Sequence, residues 1–101
     1  MKQGNIAELK ALKMLRAGQE KNNQTYVCEV LSYDIQRAVL CLKLKSSELT
    51  ELSLDAIYEC RILGEEKNLE CTGRIRERYR GEEGKVLCLK VENGFYKISI
   101  K

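Results

Sequence analysis

The sequence contains no histidine. The chain therefore lacks the usual general base at neutral pH and the usual partner for a serine or cysteine nucleophile. Any metal site would have to be built from thiolates and carboxylates alone. We expect no catalytic residues, no metal site and no cofactor, and hence a protein that is not an enzyme.

Long apolar runs are also missing, since none approaches the ~18 residues of a membrane span. The first five residues lack the apolar region of a secretory signal. The 101 residues, of which 44% are hydrophobic and 33% charged, suit one soluble domain over 1–101. The absence of proline offers no clue to a boundary. We expect a cytoplasmic protein that does not enter a membrane.

The cysteines lack the close paired spacing of a zinc knuckle or a redox motif. Their number is odd, which argues against a complete set of disulfides. We interpret them as small core hydrophobes. They stand at Cys28, Cys41, Cys60, Cys71 and Cys88.

The first segment predicts a helix over 5–17, followed by a polar linker over 18–24. Asn5 and Glu8 have the spacing of a capping box, and Gly18 would end the helix. The apolar residues recur near helical spacing, at Ile6, Leu9, Leu12 and Leu15. We expect this stripe to seal one end of a sheet, with a homo-oligomer seam as the alternative.

The remainder, 25–101, alternates apolar and polar residues as strands do. Strands are predicted over 25–33, 38–45, 55–63, 69–80 and 84–91, with one helical turn over 47–52. Asn93 and Gly94 are typical of a type I′ turn, which would pair Val91 with Tyr96 in a closing hairpin. Six short strands and one helix predict a mainly β fold, a small six-stranded antiparallel barrel with an N-terminal α-helix.

The expected strand register gives this sheet one apolar and one basic face. Ile62 would lie opposite Cys71, and Ile75 opposite both Tyr58 and Leu89. The outer face would then carry a basic patch formed by Arg74, Arg76, Arg78, Lys90 and Lys97. Two interpretations stay open: a solvated exterior, or a site for an acidic protein, nucleotide or nucleic acid.

From Cys28 onward the chain resembles a PilZ domain, a small bacterial barrel family whose best-known members bind cyclic di-GMP. Matching segments are 28–35, with Asp34 near its end, the apolar strand 38–44, and the strand 54–62. Cys71 to Ile75 and the strand 84–91 continue the pattern. The resemblance implies a PilZ-like split barrel.

Binding in the PilZ family uses an Arg-x-x-x-Arg element before the barrel and an Asp-x-Ser-x-x-Gly element. This chain keeps Asp34 but has Gln36 in place of the serine and Val39 in place of the glycine. Before the barrel it has one arginine, Arg16, and lysine is a poor substitute for a planar guanidinium. The resemblance therefore implies a degenerate member that does not bind cyclic di-GMP in the usual manner.

Two functions follow as hypotheses. The first is a non-catalytic PilZ-like module that serves as a protein-interaction or regulatory subunit in bacterial signalling. The alternative is a nucleic-acid-binding small barrel that uses the basic patch, with Tyr79 and Phe95 stacking on bases.

Overall fold

A computed structural model describes residues 1–18 and 23–99, with 95–99 described by backbone alone. Six strands form a closed ring of antiparallel pairs in the order β1-β2-β3-β6-β5-β4. Their bounds are β1 Ile6–Met14, β2 Thr25–Asp34, β3 Val39–Leu44, β4 Ala56–Ile62, β5 Lys67–Gly81 and β6 Gly84–Ser99, with a 3-10 turn at Leu49–Glu51. The expectation of a mainly β protein with six antiparallel strands is confirmed. Over 1–18 and 23–99 there is no α-helix, and so no helix that could span a membrane.

The core lies inside the ring and is filled by the inward-facing residues of every strand. In β3 the inward residues are Leu40, Leu42 and Leu44, all at most 2% exposed. Each buried leucine contributes roughly 1.5–3 kcal/mol to folding. The alternation recognised in the sequence is therefore the alternation that builds the core.

The first segment is strand β1, and the predicted helix over 5–17 is wrong. Its inward residues are Ala7, Leu9 and Ala11, whereas Leu12 is 43% exposed. β1 pairs with β2 on one side and with β4 on the other, and this closes the ring. A strand here satisfies two sheet edges that a helix would leave unpaired. An association seam formed by that helix loses its basis, because the helix does not exist.

β4 and β5 pair two residues away from the expected register. Cys60 lies opposite Cys71, and Ile62 lies opposite Leu69. A shift of two residues keeps every side chain on its expected face, since side chains alternate with a period of two. Outside the ring the shift places Arg61 against Glu70, whose side chains form an ion pair of 3.3 Å.

The predicted hairpin at Asn93–Gly94 is also wrong, because β6 runs straight through both residues. Val91 pairs with Gly73 of β5, and the Asn93 amide donates to Thr72 Oγ1 over 3.0 Å. β6 already has β3 on one side and β5 on the other. A returning strand would therefore have no free edge to pair with. The same hairpin would pair Leu87 with Ile100, which lies outside the described residues.

Candidate functional site

The outer face of β3, β6 and β5 holds part of the predicted basic patch. Arg74 and Lys90 lie directly opposite each other, next to the expected pair of Ile75 and Leu89. Arg74 Nε is 3.0 Å from a carboxylate oxygen of Glu92, and Lys90 Nζ donates to the carbonyl of Arg37. The side chain of Lys97 lies outside the described residues. The charge on this face is consequently mixed.

A β-bulge in β5 separates the arginines of the patch. Ile75 pairs with Leu89 and Glu77 pairs with Cys88, so Arg76 is the extra residue. A bulge shifts the alternation by one residue, and both Arg76 and Glu77 are exposed. Arginine recurs at every second position from Arg74 to Arg80, and this regular spacing masks the bulge. The one signal of it is Glu77, a charged residue at a position that the alternation would turn inward.

Arg78 is consequently directed to the end of the ring instead of the outer face. Its guanidinium donates to the carbonyl of Leu49 over 3.0 Å and to the carbonyl of Leu52. The Tyr58 hydroxyl accepts a bond from the N–H of Ser53 over 2.9 Å. Arg78 thus holds the connection 45–55 over the core and is not grouped with Arg74 and Lys90.

A shallow groove of about 320 Å³ crosses the patch. Leu54, 45% exposed, and Ile75, which is buried, supply its apolar part. Charged side chains supply the rest: Arg74, Arg76, Lys90 and Glu92. We call this the Leu54 groove. Sequence reasoning did not single out Leu54, because a leucine in a polar connection has no periodic signal.

A second groove of about 510 Å³ lies beside it on the same face and also includes Arg76. Its other lining residues are Ser32, Asp34, Arg37, Val39, Cys41, Glu77 and Cys88. We call it the thiol groove. It contains Asp34 and Val39, two of the three positions compared above with the PilZ ligand motif, whereas Gln36 is exposed in the loop between β2 and β3.

Asp34 fixes the backbone of that loop. Its Oδ1 accepts the N–H groups of Gln36 and Arg37, each over 3.1 Å, and Oδ2 lies 3.8 Å from the Arg37 guanidinium. This is the local turn chemistry for which aspartate is favoured. Asp34 therefore has a structural role whether or not a ligand binds nearby.

The cysteines fall into two groups. Cys28, Cys60 and Cys71 are completely buried in the core, which fits their interpretation as core hydrophobes. Cys41 and Cys88 lie opposite each other on the outer face, with sulfur atoms 3.0 Å apart. Burial, and next the hydrogen bond with Cys41, raise the pKa of Cys88 to about 12. Their proximity was missed because the pairing of β3 with β6 was not foreseen.

Among the residues that the structure describes, no group of three or more histidine, cysteine, aspartate or glutamate side chains is arranged to hold a metal ion. No protein-family model matches the chain, and neither the curated proteins nor the solved structures include a match. The functional assignment therefore depends on the residues of this face and on the resemblance in sequence.

Proposed function

We propose that this chain is a non-catalytic PilZ-like split-barrel module that acts in the bacterial cytoplasm as a protein-interaction or regulatory subunit. It binds its partner protein through the Leu54 groove and does not bind cyclic di-GMP in the usual manner. The ring of six antiparallel strands is compatible with such a barrel. Gln36 and Val39 stand where the family's ligand motif needs serine and glycine.

The observation that carries the proposal is the composition of the Leu54 groove. A leucine with 45% of its surface exposed is surrounded by charges of both signs, of which Arg74 and Glu92 are already paired. Protein interfaces combine an apolar centre with a polar rim in this way. Leu54 would lose its exposed surface on contact, and the charges would fix the orientation of the partner.

The ion pair between Arg74 and Glu92 also argues against nucleic acid as the partner. Affinity for a phosphate backbone comes from cations that replace condensed counterions. Arg74 is neutralised by Glu92, and Arg78 is bound to carbonyl groups at the end of the ring. A mixed surface of this kind suits a folded protein better than a polyanion.

Site-specific photocrosslinking in the source bacterium tests the proposal. A photoreactive residue replaces Leu54 or, as a matched control, Leu12, which is 43% exposed on β1, the strand across the ring from β6. We expect a discrete protein adduct from position 54 only. The captured protein, once purified, should bind the wild-type chain, and Leu54→Asp should weaken binding at least tenfold, a loss of about 1.4 kcal/mol. Leu12→Asp should leave the affinity unchanged.

Equal adducts from both positions, or an affinity insensitive to Leu54→Asp, would refute the assignment of the groove. Calorimetry with cyclic di-GMP and a low-salt titration with single-stranded nucleic acid provide the remaining checks. Micromolar binding of cyclic di-GMP would contradict the interpretation of Gln36 and Val39. Salt-sensitive binding of nucleic acid would favour the alternative function.

A further inference from the structure

A row of side chains crosses four strands on the outer face of the sheet. Ser32 of β2 lies opposite Cys41 of β3, which lies opposite Cys88 of β6, which lies opposite Glu77 of β5. We propose that Cys41 and Cys88 form a thiol-oxidation site whose substrates are small aliphatic disulfides, and which closes reversibly into an intramolecular disulfide. This proposal does not depend on the proposed function.

The backbone already provides the geometry that a disulfide needs. Directly opposite residues of an antiparallel pair have Cα atoms about 4.5–5.5 Å apart. A disulfide accepts Cα separations of about 4.4–6.8 Å. The two sulfur atoms are 3.0 Å apart, so they need to approach by about 1 Å to reach bonding distance. Side-chain rotation can supply that movement without a change in the pairing of β3 and β6.

Access distinguishes this pair from the other opposed pair of cysteines. Cys60 and Cys71 also lie directly opposite each other, but both are 0% exposed and face the core. Cys41 is half-buried and lines the thiol groove, whereas Cys88 beside it is 4% exposed. A small reagent can therefore reach Cys41 first, and Cys88 is placed to resolve the product.

The reaction balances as two successive thiol–disulfide exchanges. The Cys41 thiolate attacks one sulfur of the small disulfide, the S–S bond breaks, and one small thiolate leaves. Cys88 then gives up its proton, and its sulfur attacks the Cys41 sulfur of the mixed disulfide. The second small thiolate leaves as the protein disulfide forms. The protein loses two electrons and two protons, and the small disulfide gains them as two thiols.

Glu77 supports the second exchange by its position. It lies directly opposite Cys88, and its carboxylate is a hydrogen-bond partner of that thiol. A carboxylate beside a thiol can accept the proton that leaves when the sulfur becomes a nucleophile. Cys41, Cys88 and Glu77 would thus act as attacking thiol, resolving thiol and local proton acceptor.

Incubation of the reduced, folded protein with oxidised glutathione tests the site. We expect a loss of two hydrogen atoms in the intact mass, and a fall in free thiols from five to three. Peptide mapping should show a Cys41–Cys88 link. Closing the long loop between them should raise the melting temperature by at least about 5 °C.

Variants identify the role of each thiol. Cys88→Ser should trap one glutathione on Cys41, because the resolving thiol is missing. Cys41→Ser and Cys41→Ala should give neither the disulfide nor the adduct, and circular dichroism checks that both are folded. Cys60→Ala, which leaves the outer pair intact, should still form the link. The proposal is overturned if the folded wild type keeps all its thiols, if the link joins other cysteines, or if Cys41→Ser still loses two thiols.

Discussion

Replacing Gly73 by alanine is expected to destabilise the ring severely. A Cβ atom at this position would lie 2.9 Å from the carbonyl carbon of Lys90 and 3.1 Å from Cα of Val91, and closer still to the carbonyl oxygen of Lys90. Carbon atoms in contact normally stand about 3.5–4.0 Å apart. All three obstructing atoms belong to the backbone of β6. Rotation of a side chain therefore cannot relieve the overlap, and β5 and β6 would have to separate.

The cost follows from the separation that is needed. Moving the strands apart by about 1 Å takes the adjoining ladder hydrogen bonds beyond their ~3.2 Å limit. Losing two such bonds costs about 2 kcal/mol, at roughly 1 kcal/mol each. Residual strain of the kind seen in overpacked sites adds about 1 kcal/mol or more. We expect Gly73→Ala to lower the free energy of unfolding by about 3 kcal/mol, out of a typical total of 5–15 kcal/mol.

Urea denaturation followed by far-ultraviolet circular dichroism measures this change, and Gly94→Ala is the matched control. A Cβ at Gly94 meets no atom of the described residues within 4 Å, and the φ angle of Gly94 is not positive. We expect Gly94→Ala to be neutral, or to stabilise the protein by up to about 1 kcal/mol. A loss of less than about 1 kcal/mol in Gly73→Ala would refute the reasoning, given the usual cost of overpacking. Marked destabilisation by Gly94→Ala would instead indicate that Gly94 has a positive φ angle, as in a turn.

Three further predictions test other parts of the fold. Leu9→Ala should lower the free energy of unfolding by about 2–5 kcal/mol, since Leu9 is fully buried, whereas Leu12→Ala should change it by no more than about 0.5 kcal/mol. Equal losses for the two variants in urea denaturation would contradict a β1 strand. Arg78→Ala should cost about 2 kcal/mol through its lost carbonyl partners. Arg76→Ala should cost less than about 0.5 kcal/mol. A melting temperature lower for Arg76→Ala than for Arg78→Ala would contradict the bulge. Burial raises the pKa of Cys28 from 9.0 to about 12, so the unfolded thiol ionises first and stability should fall as pH rises through this interval. Cys28 should contribute at most about 1.4 kcal/mol per pH unit to this slope, and Cys28→Ala should remove that share but leave the share of Cys88, whose pKa is raised over the same interval.

Large apolar residues made most strands predictable, because alternating leucine and valine leave little doubt about the inner face. Strand β3 is an example, with Leu40, Leu42 and Leu44 inward. The first segment misled for the opposite reason, since its inward positions include two alanines, Ala7 and Ala11. Alanine favours helices and adds little to a strand pattern, and the deciding factor was two strand edges that only the complete ring supplies.

The candidate site could be predicted only in part, because it depends on strand order. The outward placement of Arg74 and Lys90 follows from alternation along each strand, but their pairing depends on the bulge. With Gly81 opposite Gly84 at the turn, an unbroken ladder would place Arg74 opposite Val91. Cys41 and Cys88 are 47 residues apart and meet only because β3 lies beside β6. The direction of Arg78 depends on one extra residue in β5, which alternating arginines conceal. Local periodicity fixes the face of a residue, but it does not fix its neighbour across the sheet.

The position of the outer thiols supports a chemical role that packing alone does not give them. The two cysteines occupy the middle of the same three-residue pattern, Leu40-Cys41-Leu42 and Leu87-Cys88-Leu89, whose leucines face the core. Serine or threonine would fit the outward position between such leucines equally well and would interact better with the neighbouring charges. Thiols differ from these residues chiefly in that they can be oxidised and joined. Two of them placed opposite each other beside Glu77, at the wall of an open groove, combine proximity, access and a proton acceptor. Packing accounts for the three core cysteines, whereas the proposed thiol oxidation would account for this pair.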